Sequence, residues 1–275
     1  MGSRRLGVLG WPVDHSRSPA MHRAAFAALG LEGWSYDLLP VTPDRFAAEV
    51  RRLAGAGFVG ANVTIPHKSA ALALADRASP AARAIGAANT LSFAPDGEIA
   101  AENTDAPGLL DALGRDPAGM TALVLGAGGS ARAVVWALRE AGARVAVWNR
   151  TRARAADLAA ELDVTAVTRA APADLLVNCT AVGLDACSIK DSEGLRDLPV
   201  AADDLSEYGY VVDLVYSKRP TPLVRAARER GVETVDGLEI LVRQGARSFR
   251  IWTGIDPPLA AMRTGARDDR PTDHI

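Results

Sequence analysis

One stretch of this 275-residue chain decides its fold: Thr121-Ala122-Leu123-Val124-Leu125-Gly126-Ala127-Gly128-Gly129-Ser130-Ala131. A buried-strand pattern over residues 121–125 runs directly into a loop of the form G-x-G-x-x-A. Gly126 allows a tight turn, Gly128 lets the backbone approach a pyrophosphate, and Ala131 lets a helix pack closely on the strand. The stretch therefore predicts a strand, loop and helix that bind a dinucleotide through residues Gly126, Ala127, Gly128, Gly129, Ser130 and Ala131.

The segment after the next predicted strand indicates which dinucleotide binds. A strand over residues 144–148 is followed by Asn149-Arg150-Thr151-Arg152-Ala153-Arg154. In NAD sites this strand usually ends in Asp or Glu, which accepts a hydrogen bond from the ribose 2′-hydroxyl. A 2′-phosphate instead needs cationic donors and would be repelled by a carboxylate. The segment therefore favours NADP over NAD, although a solvated basic helix start would have the same composition.

Strands and helices continue to alternate after this point. Apolar runs at residues 175–179 and 210–216 predict further parallel strands, and the polar segment 184–209 between them predicts a long surface loop. Asp236-Gly237 then opens an amphipathic helix over residues 238–253. If this helix crosses back over the first domain, Gln244 can enter the cleft between the domains.

The first half of the chain predicts another α/β domain. Strands are expected at residues 6–10, 34–41 and 58–64, and the turn Pro95-Asp96-Gly97 predicts a hairpin between strands at 85–93 and 98–103. Thr42-Pro43 is expected to open a helix with Thr as its cap.

Two serines precede or open the first predicted helix. Pro19 suits the first turn, with Ser18 as the cap, and Gly30 is expected to end the helix. Ser16 and Ser18 have two interpretations: one caps the helix while the other is solvated, or both hydroxyls bind a carboxylate near the helix N-terminus.

Two polar motifs, Asn62-Val63-Thr64-Ile65-Pro66-His67-Lys68 and Asn103-Thr104-Asp105, are the candidate reaction centre. The first follows a predicted strand, where ligands bind in open α/β sheets. Lys68 begins a helix, where the helix dipole disfavours a cation. This favours a cation–carboxylate pair between Lys68 and Asp105. The alternatives are a solvated lysine and an aspartate that only caps the helix over residues 106–113.

Composition excludes several classes of protein. Apolar residues make up 48% of the chain, charged residues 23%, and the net charge is −2, so the chain is globular and has no basic excess for nucleic acid. It lacks both a run of ~20 apolar residues and a signal core, so a cytoplasmic protein that does not bind membranes is expected. Cys179, expected to be buried, and Cys187, in a polar loop, form no disulfide framework, and the four histidines lack metal-ligand spacing.

The chain resembles the shikimate dehydrogenase family over nearly its whole length. The resemblance lies in separated motifs: Ser16-Arg17-Ser18-Pro19, the Asn62 to Lys68 motif, Ala88-Asn89-Thr90, Asn103-Thr104-Asp105, Gly126-Ala127-Gly128-Gly129, Asn149-Arg150-Thr151, and Asp236-Gly237-Leu238 with Gln244. It implies an α/β fold with an N-terminal substrate-binding domain, a Rossmann-type NADP-binding domain and an active site in the interdomain cleft. Residues 1–105 and 237–275 would form the first domain, and 106–236 a linker helix and the second.

The implied activity is the reversible NADP-dependent reduction of 3-dehydroshikimate to shikimate, on the route to aromatic amino acids. Lys68 and Asp105 would be the catalytic pair. The resemblance assigns the substrate carboxylate to Ser16, Ser18 and Tyr216, the ring hydroxyls to Asn62, Thr64, Asn89 and Gln244, and the adenosine 2′-phosphate to Asn149, Arg150, Thr151 and Arg154. Leu214 and Gly237 would join Gly126–Ala131 in binding the cofactor.

Three residues depart from the family pattern: Trp11 where Asn is common, Ala106 where Gly is usual, and Lys218 where many members have Pro. Trp11 and Ala106 leave open which of the related cyclohexene acids is the substrate. The alternatives are therefore a quinate or aminoshikimate dehydrogenase, and a ligand-sensing paralogue without catalysis. The sequence is compatible with a monomer or a homodimer.

Overall fold

A computed structural model gives the structure of residues 3–183, 194–217 and 219–268. The predictions that concern Cys187 and Lys218 lie outside these residues. The chain forms two compact units: Met1–Gly108 combine with Leu241–Ile275 in the first, and Leu109–Ile240 form the second. The first unit is therefore discontinuous in sequence, and the second is continuous.

The first unit contains a mixed sheet of six strands, in the order β2-β1-β3-β5-β6-β4. The strands are β1 (Arg4–Gly10), β2 (Trp34–Pro40), β3 (Gly60–Val63), β4 (Arg77–Ala78), β5 (Thr90–Phe93) and β6 (Ile99–Glu102). Strand β1 pairs in parallel with β2 and β3, whereas β5 is antiparallel to both β3 and β6. The predicted hairpin is confirmed, since Gly97, with φ of 89°, donates its N–H to the carbonyl of Ala94 at 2.9 Å.

Helices pack around this sheet: α1 (Ser18–Ala28), α2 (Phe46–Gly55), α3 (Lys68–Leu74), α4 (Pro80–Ile85) and α10 (Leu259–Arg267). Helices α5 (Asp105–Leu113) and α9 (Gly237–Thr253) belong partly to each unit. Helix α10, which the sequence patterns did not predict, packs closely on α1. A Cβ at Gly265 would lie 2.6 Å from the carbonyl oxygen of Ala20, so only glycine fits there without displacement.

Several predicted boundaries in the first unit are wrong. The strand predicted from residue 85 begins only at Thr90, because residues 80–85 form α4, where Ser79 accepts the N–H of Ala82 at 3.1 Å. Helix α2 begins at Phe46, and the predicted start at Thr42 is a preceding turn, in which Arg45 donates to the carbonyl of Thr42. Pro19 lies in the first turn of α1 as predicted.

The cap predicted for α1 is also wrong. Arg17, in helical conformation and without a side-chain cap, precedes the helix. Ser18 is the first helical residue, and its N–H donates to the hydroxyl of Ser16 at 3.3 Å. Because Ser18 is already inside the helix, it cannot act as the residue that precedes it.

The second unit contains a fully parallel sheet of six strands, in the order β12-β11-β10-β7-β8-β9. Its strands are β7 (Thr121–Leu125), β8 (Arg144–Trp148), β9 (Thr165–Ala166), β10 (Leu175–Asn178), β11 (Tyr210–Asp213) and β12 (Glu233–Val235). Its helices are α6 (Gly129–Glu140), α7 (Arg152–Leu162) and α8 (Pro222–Glu229). The predicted α/β class and the Rossmann-type unit are confirmed, with β7 bounded as predicted.

The prediction of a surface loop over residues 184–209 is wrong for residues 194–209, which are the part that the structure describes. Residues Asp203–Glu207 form a short 3-10 helix. The apolar residues around it are buried in the core of the second unit: Leu195, Leu198, Val200, Leu205 and Tyr208. Their spacing follows neither a helical nor a strand period, so the pattern gave no sign of burial.

Cys179 is half-buried rather than buried. No helix among the described residues combines the length and apolar character that a membrane span requires.

Candidate active site

The side chains of Lys68 and Asp105 lie together in the first unit. Lys68 is the first residue of α3 and Asp105 the first residue of α5. Nζ of Lys68 lies 2.7 Å from Oδ2 of Asp105, and the two side chains are only 10% and 14% exposed. The alternative of a solvated lysine is therefore wrong. A close pair with little solvent access is a strong local electrostatic feature.

Asn103, rather than Asp105, provides the side-chain acceptor at the start of α5. Its Oδ1 accepts the N–H of Ala106 at 3.1 Å, while its Nδ2 donates to the carbonyl of Ala87 at 2.9 Å. Both carboxylate oxygens of Asp105 are engaged elsewhere, Oδ2 with Lys68 and Oδ1 with Asn89. Asp105 is therefore held as a partner of side chains and not as a helix cap.

Asn89 connects the pair to the rest of the site. Its Oδ1 accepts the backbone N–H of Thr104 at 2.7 Å, which fixes the orientation of the amide because that N–H can only donate. Its Nδ2 then faces Asp105 Oδ1 at 2.8 Å, Thr104 Oγ1 at 3.0 Å and Gln244 Oε1 at 3.1 Å. The side-chain amide of Asn89 thus positions the carboxylate of Asp105 and also donates to Gln244.

Helix α9 carries Gln244 to this cluster within the first unit. Gln244 is buried, and its Nε2 donates to the carbonyl of Leu241 at 2.9 Å. A Cβ at Gly108 on α5 would lie 2.7 Å from the backbone nitrogen of Gln244, so the absence of a side chain there permits the contact of the two helices. The expectation that this helix crosses back over the first domain agrees with the 3.1 Å contact between Gln244 and Asn89, whereas the entry of Gln244 into a cleft between the domains stays a prediction.

Asn62 is the centre of a second, deeper group of hydrogen bonds. Its Oδ1 accepts the hydroxyl of Tyr36 at 2.7 Å. Its Nδ2 faces Ser248 Oγ at 2.9 Å, the Asn89 carbonyl at 3.1 Å and Thr90 Oγ1 at 3.2 Å. Both N–H groups of this buried amide therefore have acceptors inside the protein. Asn62 supports the backbone and hydroxyls beneath Asn89 in this structure.

Sequence reasoning missed Tyr36 and Ser248. Ser248 Oγ also lies 2.8 Å from Thr90 Oγ1 and 3.1 Å from Thr104 Oγ1, so it joins three polar residues. Neither residue lies in a recognisable motif, because Tyr36 fits the sequence pattern of an ordinary strand and Ser248 fits that of an ordinary helix. A polar residue on the buried face of the amphipathic α9 was the one available signal.

Ser16, Ser18 and Thr64 lie at the carboxyl edge of the first sheet. The two serines follow β1 and Thr64 follows β3, and these neighbouring parallel strands end at the same edge. Ser18 is buried, whereas Ser16 and Thr64 are partly exposed. Tyr216 belongs to the second unit and follows β11, so its contact with a substrate carboxylate remains a prediction.

His67 contributes no charge beside Lys68. Its ring stacks on Phe46 with centroids 4.4 Å apart, and Nε2 is 2.8 Å from the carbonyl of Val41. Burial lowers the pKa of His67, and the hydrogen bond to Val41 opposes this only partly. The imidazole is therefore neutral near pH 7, with Nε2–H as the donor to the carbonyl.

The predicted cofactor residues line the carboxyl edge of the second sheet. Gly126 has φ of +113°, and Gly128 precedes α6 in an extended conformation with open space around it. The N-terminus of α6 thus presents backbone N–H groups where a pyrophosphate can approach. Residues 149–151 follow β8, the neighbour of β7, and Arg150, Thr151 and Arg154 are exposed.

These residues suit a dinucleotide with a 2′-phosphate. Asn149 and the exposed Arg150 and Arg154 offer donors and cations, and no carboxylate stands in the segment 149–155. Gly237, which opens α9, packs directly on the backbone after β11: a Cβ there would lie 2.5 Å from the Val215 carbonyl oxygen and 2.7 Å from that of Leu214.

Comparison with known proteins gives concordant matches along the chain. Family profiles match residues 8–91 (shikimate dehydrogenase substrate binding domain), 111–183 (shikimate / quinate 5-dehydrogenase) and 237–264 (shikimate 5′-dehydrogenase C-terminal domain). The shikimate dehydrogenase (NADP(+)) of Thermus thermophilus is 49% identical over 271 residues, which are 96% of this chain and 97% of that protein.

Solved structures agree with these matches. Shikimate 5-dehydrogenase from Thermus thermophilus, in complex with NADP(H) and shikimate, has a TM-score of 0.85 and 44% identity, and the match covers 96% of this chain and 98% of that one. Shikimate dehydrogenase from Aquifex aeolicus has a TM-score of 0.87 and 32% identity, with 97% and 98% covered.

Proposed function

The chain belongs to the shikimate dehydrogenase family, and we propose that it is an NADP-dependent shikimate dehydrogenase. The reaction is the reversible reduction of 3-dehydroshikimate to shikimate, in the biosynthesis of aromatic amino acids. The observation that carries the proposal is the pair of Lys68 and Asp105 at 2.7 Å, with Asn89 bound to the same carboxylate. Ligand sensing alone would not require a proton donor held in this way.

The chemistry follows from the charge that develops on the substrate. NADPH, when bound, would supply the hydride that reduces the ketone of the substrate. Negative charge then grows on the ketone oxygen, and a cation that can also donate a proton stabilises it. Lys68 fills this role: one ammonium proton passes to the oxygen, and the lysine regains a proton from solvent. Asp105 orients the ammonium group, and Asn89 orients Asp105.

Substrate recognition is proposed to use the polar residues of the first unit. Asn89, Gln244 and Thr64 would bind the ring hydroxyls. Asn62 would bind a ring hydroxyl as well, and it also holds Asn89 and Thr90 in place. Ser16 and Ser18 would bind the carboxylate, with help from Tyr216.

Cofactor recognition is proposed to use the second unit. Backbone N–H groups of residues Gly126–Ala131 would bind the pyrophosphate at the N-terminus of α6. Asn149, Arg150, Thr151 and Arg154 would bind the 2′-phosphate, and Leu214 and Gly237 would line the site.

A matrix of cofactors and substrates tests the proposal. Purified protein is incubated with shikimate, quinate or aminoshikimate, each with NADP and with NAD, and reduction of the nicotinamide is followed by its absorbance. Turnover is expected with shikimate and NADP. Faster turnover with quinate or with NAD would instead support the sister activity that the shikimate / quinate profile also names. Shikimate binding without turnover for any pair would favour a sensing paralogue.

A further inference from the structure

A buried carboxylate that the proposed chemistry does not use lies at the carboxyl edge of the second sheet. Asp213 ends β11 and has no solvent exposure. It accepts three hydrogen bonds: from Asn178 Nδ2 at 2.9 Å, from the N–H of Val215 at 3.0 Å and from Thr221 Oγ1 at 2.5 Å. Each neighbour donates, so the arrangement is that of an ionised acceptor.

Through Asn178, Asp213 is connected to the glycine-rich loop that begins at Gly126, here called the fingerprint loop. Asn178 ends β10, and its Oδ1 accepts both the N–H of Thr180 at 3.0 Å and its hydroxyl at 2.7 Å. The backbone held in this way lies directly against Gly126. A Cβ at Gly126 would be 3.1 Å from the carbonyl carbon of Cys179 and 3.3 Å from the nitrogen of Thr180.

Through Val215, Asp213 reaches the start of α9. The hydrogen bond from the N–H of Val215 fixes the backbone that follows β11. Gly237 packs on that backbone so closely that a Cβ would lie 2.5 Å from the Val215 carbonyl oxygen. Thr221, the third donor, caps α8 by accepting the N–H of Val224 at 3.3 Å.

The hydrogen bonds of Asp213 lie at the place in the sheet where doubly wound sheets bind ligands. The strand order reverses direction between β7 and β10, and the crevice outside the strand ends at such a reversal holds the ligand. Asp213 holds the loops after β10 and β11, on which Gly126 and Gly237 rest. Both glycines are predicted cofactor positions.

Stability alone does not account for a carboxylate in this place. Burial raises the pKa of the Asp213 carboxyl to about 6, and the hydrogen bonds from Thr221, Val215 and Asn178 oppose this change. Burying a charge costs free energy that its hydrogen bonds offset only in part, so such groups are weak sources of stability.

We infer that Asp213 is a positioning residue for NADP. Asp213 acts through the backbone: it holds the segments at residues 179–180 and 214–215, and these segments set the places of Gly126 and Gly237. The inference rests on the proposed function for the identity of the cofactor.

The test is the substitution Asp213→Asn, which keeps the shape and one acceptor but removes the charge and the acceptor for Thr221. NADP affinity is measured by calorimetry, which needs no turnover, and kinetic constants are measured with shikimate. The dissociation constant and KM for NADP are expected to rise about 10-fold, with kcat within about 3-fold of the wild type. The KM for shikimate is expected to change less than the KM for NADP, because the proposed substrate residues Asn89, Thr64 and Gln244 lie in the first unit and only Tyr216 follows the backbone that Asp213 holds.

Asp174→Asn is the matched control in the same sheet. Asp174 precedes β10 at the amino edge, where its Oδ2 accepts the N–H and the hydroxyl of Thr121, each at 2.7 Å. It also joins two parallel strands through a threonine, but away from the fingerprint loop. Equal NADP affinity in the Asp213→Asn and Asp174→Asn proteins would overturn the inference.

A second variant guards against a failure of Asp213→Asn to fold. Asn178→Ala keeps the carboxylate and removes its connection to Thr180, so weaker NADP binding supports the inference and wild-type binding overturns it. The proposed function fails separately: if the wild type binds NADP but does not oxidise shikimate, the calorimetric comparison still decides the role of Asp213.

Discussion

Asn89 donates a hydrogen bond of 2.8 Å to Oδ1 of Asp105, the oxygen that does not face Lys68. The carboxylate is thus held from both sides, by a cation and by an amide whose orientation Thr104 fixes. A group held in this way needs little reorganisation when charge develops on a substrate. The proposed catalytic pair therefore belongs to a group of three side chains, and each member can be tested separately.

Lys68→Ala is expected to lower kcat by about 100-fold or more, because the proposed proton donor and the local cation are both removed. Shikimate affinity, measured by calorimetry, is expected to change little. Lys68→Met, which keeps the side-chain volume, serves as the control for packing and should be equally slow. Near-normal turnover of either protein would contradict the assignment of Lys68.

Asn89→Ala is expected to lower kcat/KM for shikimate about 10-fold to 100-fold, since Asp105 loses one of its two side-chain contacts and the ring hydroxyls lose a donor. The KM for NADP should remain at its wild-type value. If both KM values rose together, the substitution would have disturbed the fold, which circular dichroism and thermal unfolding would reveal.

Tyr36→Phe removes the hydroxyl that donates to the buried Oδ1 of Asn62. We expect the free energy of unfolding in urea to fall by about 1–2 kcal/mol, because an acceptor is left without its partner. Ser248→Ala is the comparison: Asn62 Nδ2 still faces Asn89 O and Thr90 Oγ1, so a smaller loss is expected. The reverse order would argue against Asn62 as the centre of this group.

Asn149→Asp places a carboxylate at the end of β8, where the 2′-phosphate is proposed to bind. The KM for NADP is expected to rise about 10-fold through charge repulsion, with little change in the KM for NAD. Asn149→Ala, which removes the amide without adding charge, should show a smaller rise. An unchanged NADP preference in the aspartate variant would place the 2′-phosphate elsewhere.

His22 makes stability depend on pH. It is fully buried on α1 and stacks on Tyr36 with centroids 4.3 Å apart, and within the described chain neither ring nitrogen has a hydrogen-bond partner. Burial lowers the pKa of His22 from 6.5 to about 3. Between these values only the unfolded chain binds the proton, so the stabilisation is complete above pH 6.5 and is lost as the pH falls towards 3.

His22→Phe keeps the aromatic stack and removes the titrating group. Between pH 7 and pH 5, the wild type is expected to lose about 2 kcal/mol more unfolding free energy than the variant, as measured in urea at each pH. Parallel curves for the two proteins would show that His22 is already solvated or protonated in the folded state.

Local patterns predicted the start of the second unit well, because its first elements carry their own signals. The apolar strand β7, the glycine loop and the helix α6 follow one another without interruption, so neither boundary depends on remote contacts. Helix α4 could have been found by the same reasoning, since Ser79-Pro80 is a cap followed by a first-turn proline. The apolar run that begins at Ile85 instead fits a strand pattern, so local patterns alone predict a strand from that residue.

The candidate site was predicted only in part, for a physical reason. Lys68 stood out because a cation at a helix start is unfavourable, and Asp105 because it lies in a polar motif. Tyr36 and Ser248 carry no such local anomaly; they become part of the site only when β2 and α9 bring them to Asn62. Propensities describe single elements and do not describe side-chain contacts between distant ones.

The discontinuity of the first unit has a consequence for synthesis of the protein on the ribosome. Residues 109–240 form a continuous unit that is complete once the first turn of α9 has been made. Gln244 and Ser248, which close the hydrogen bonds of Asn89 and Asn62, are added only afterwards. We therefore expect the nascent chain to acquire a folded nucleotide-binding half first, and to acquire a competent substrate site only when its final helices emerge from the exit tunnel.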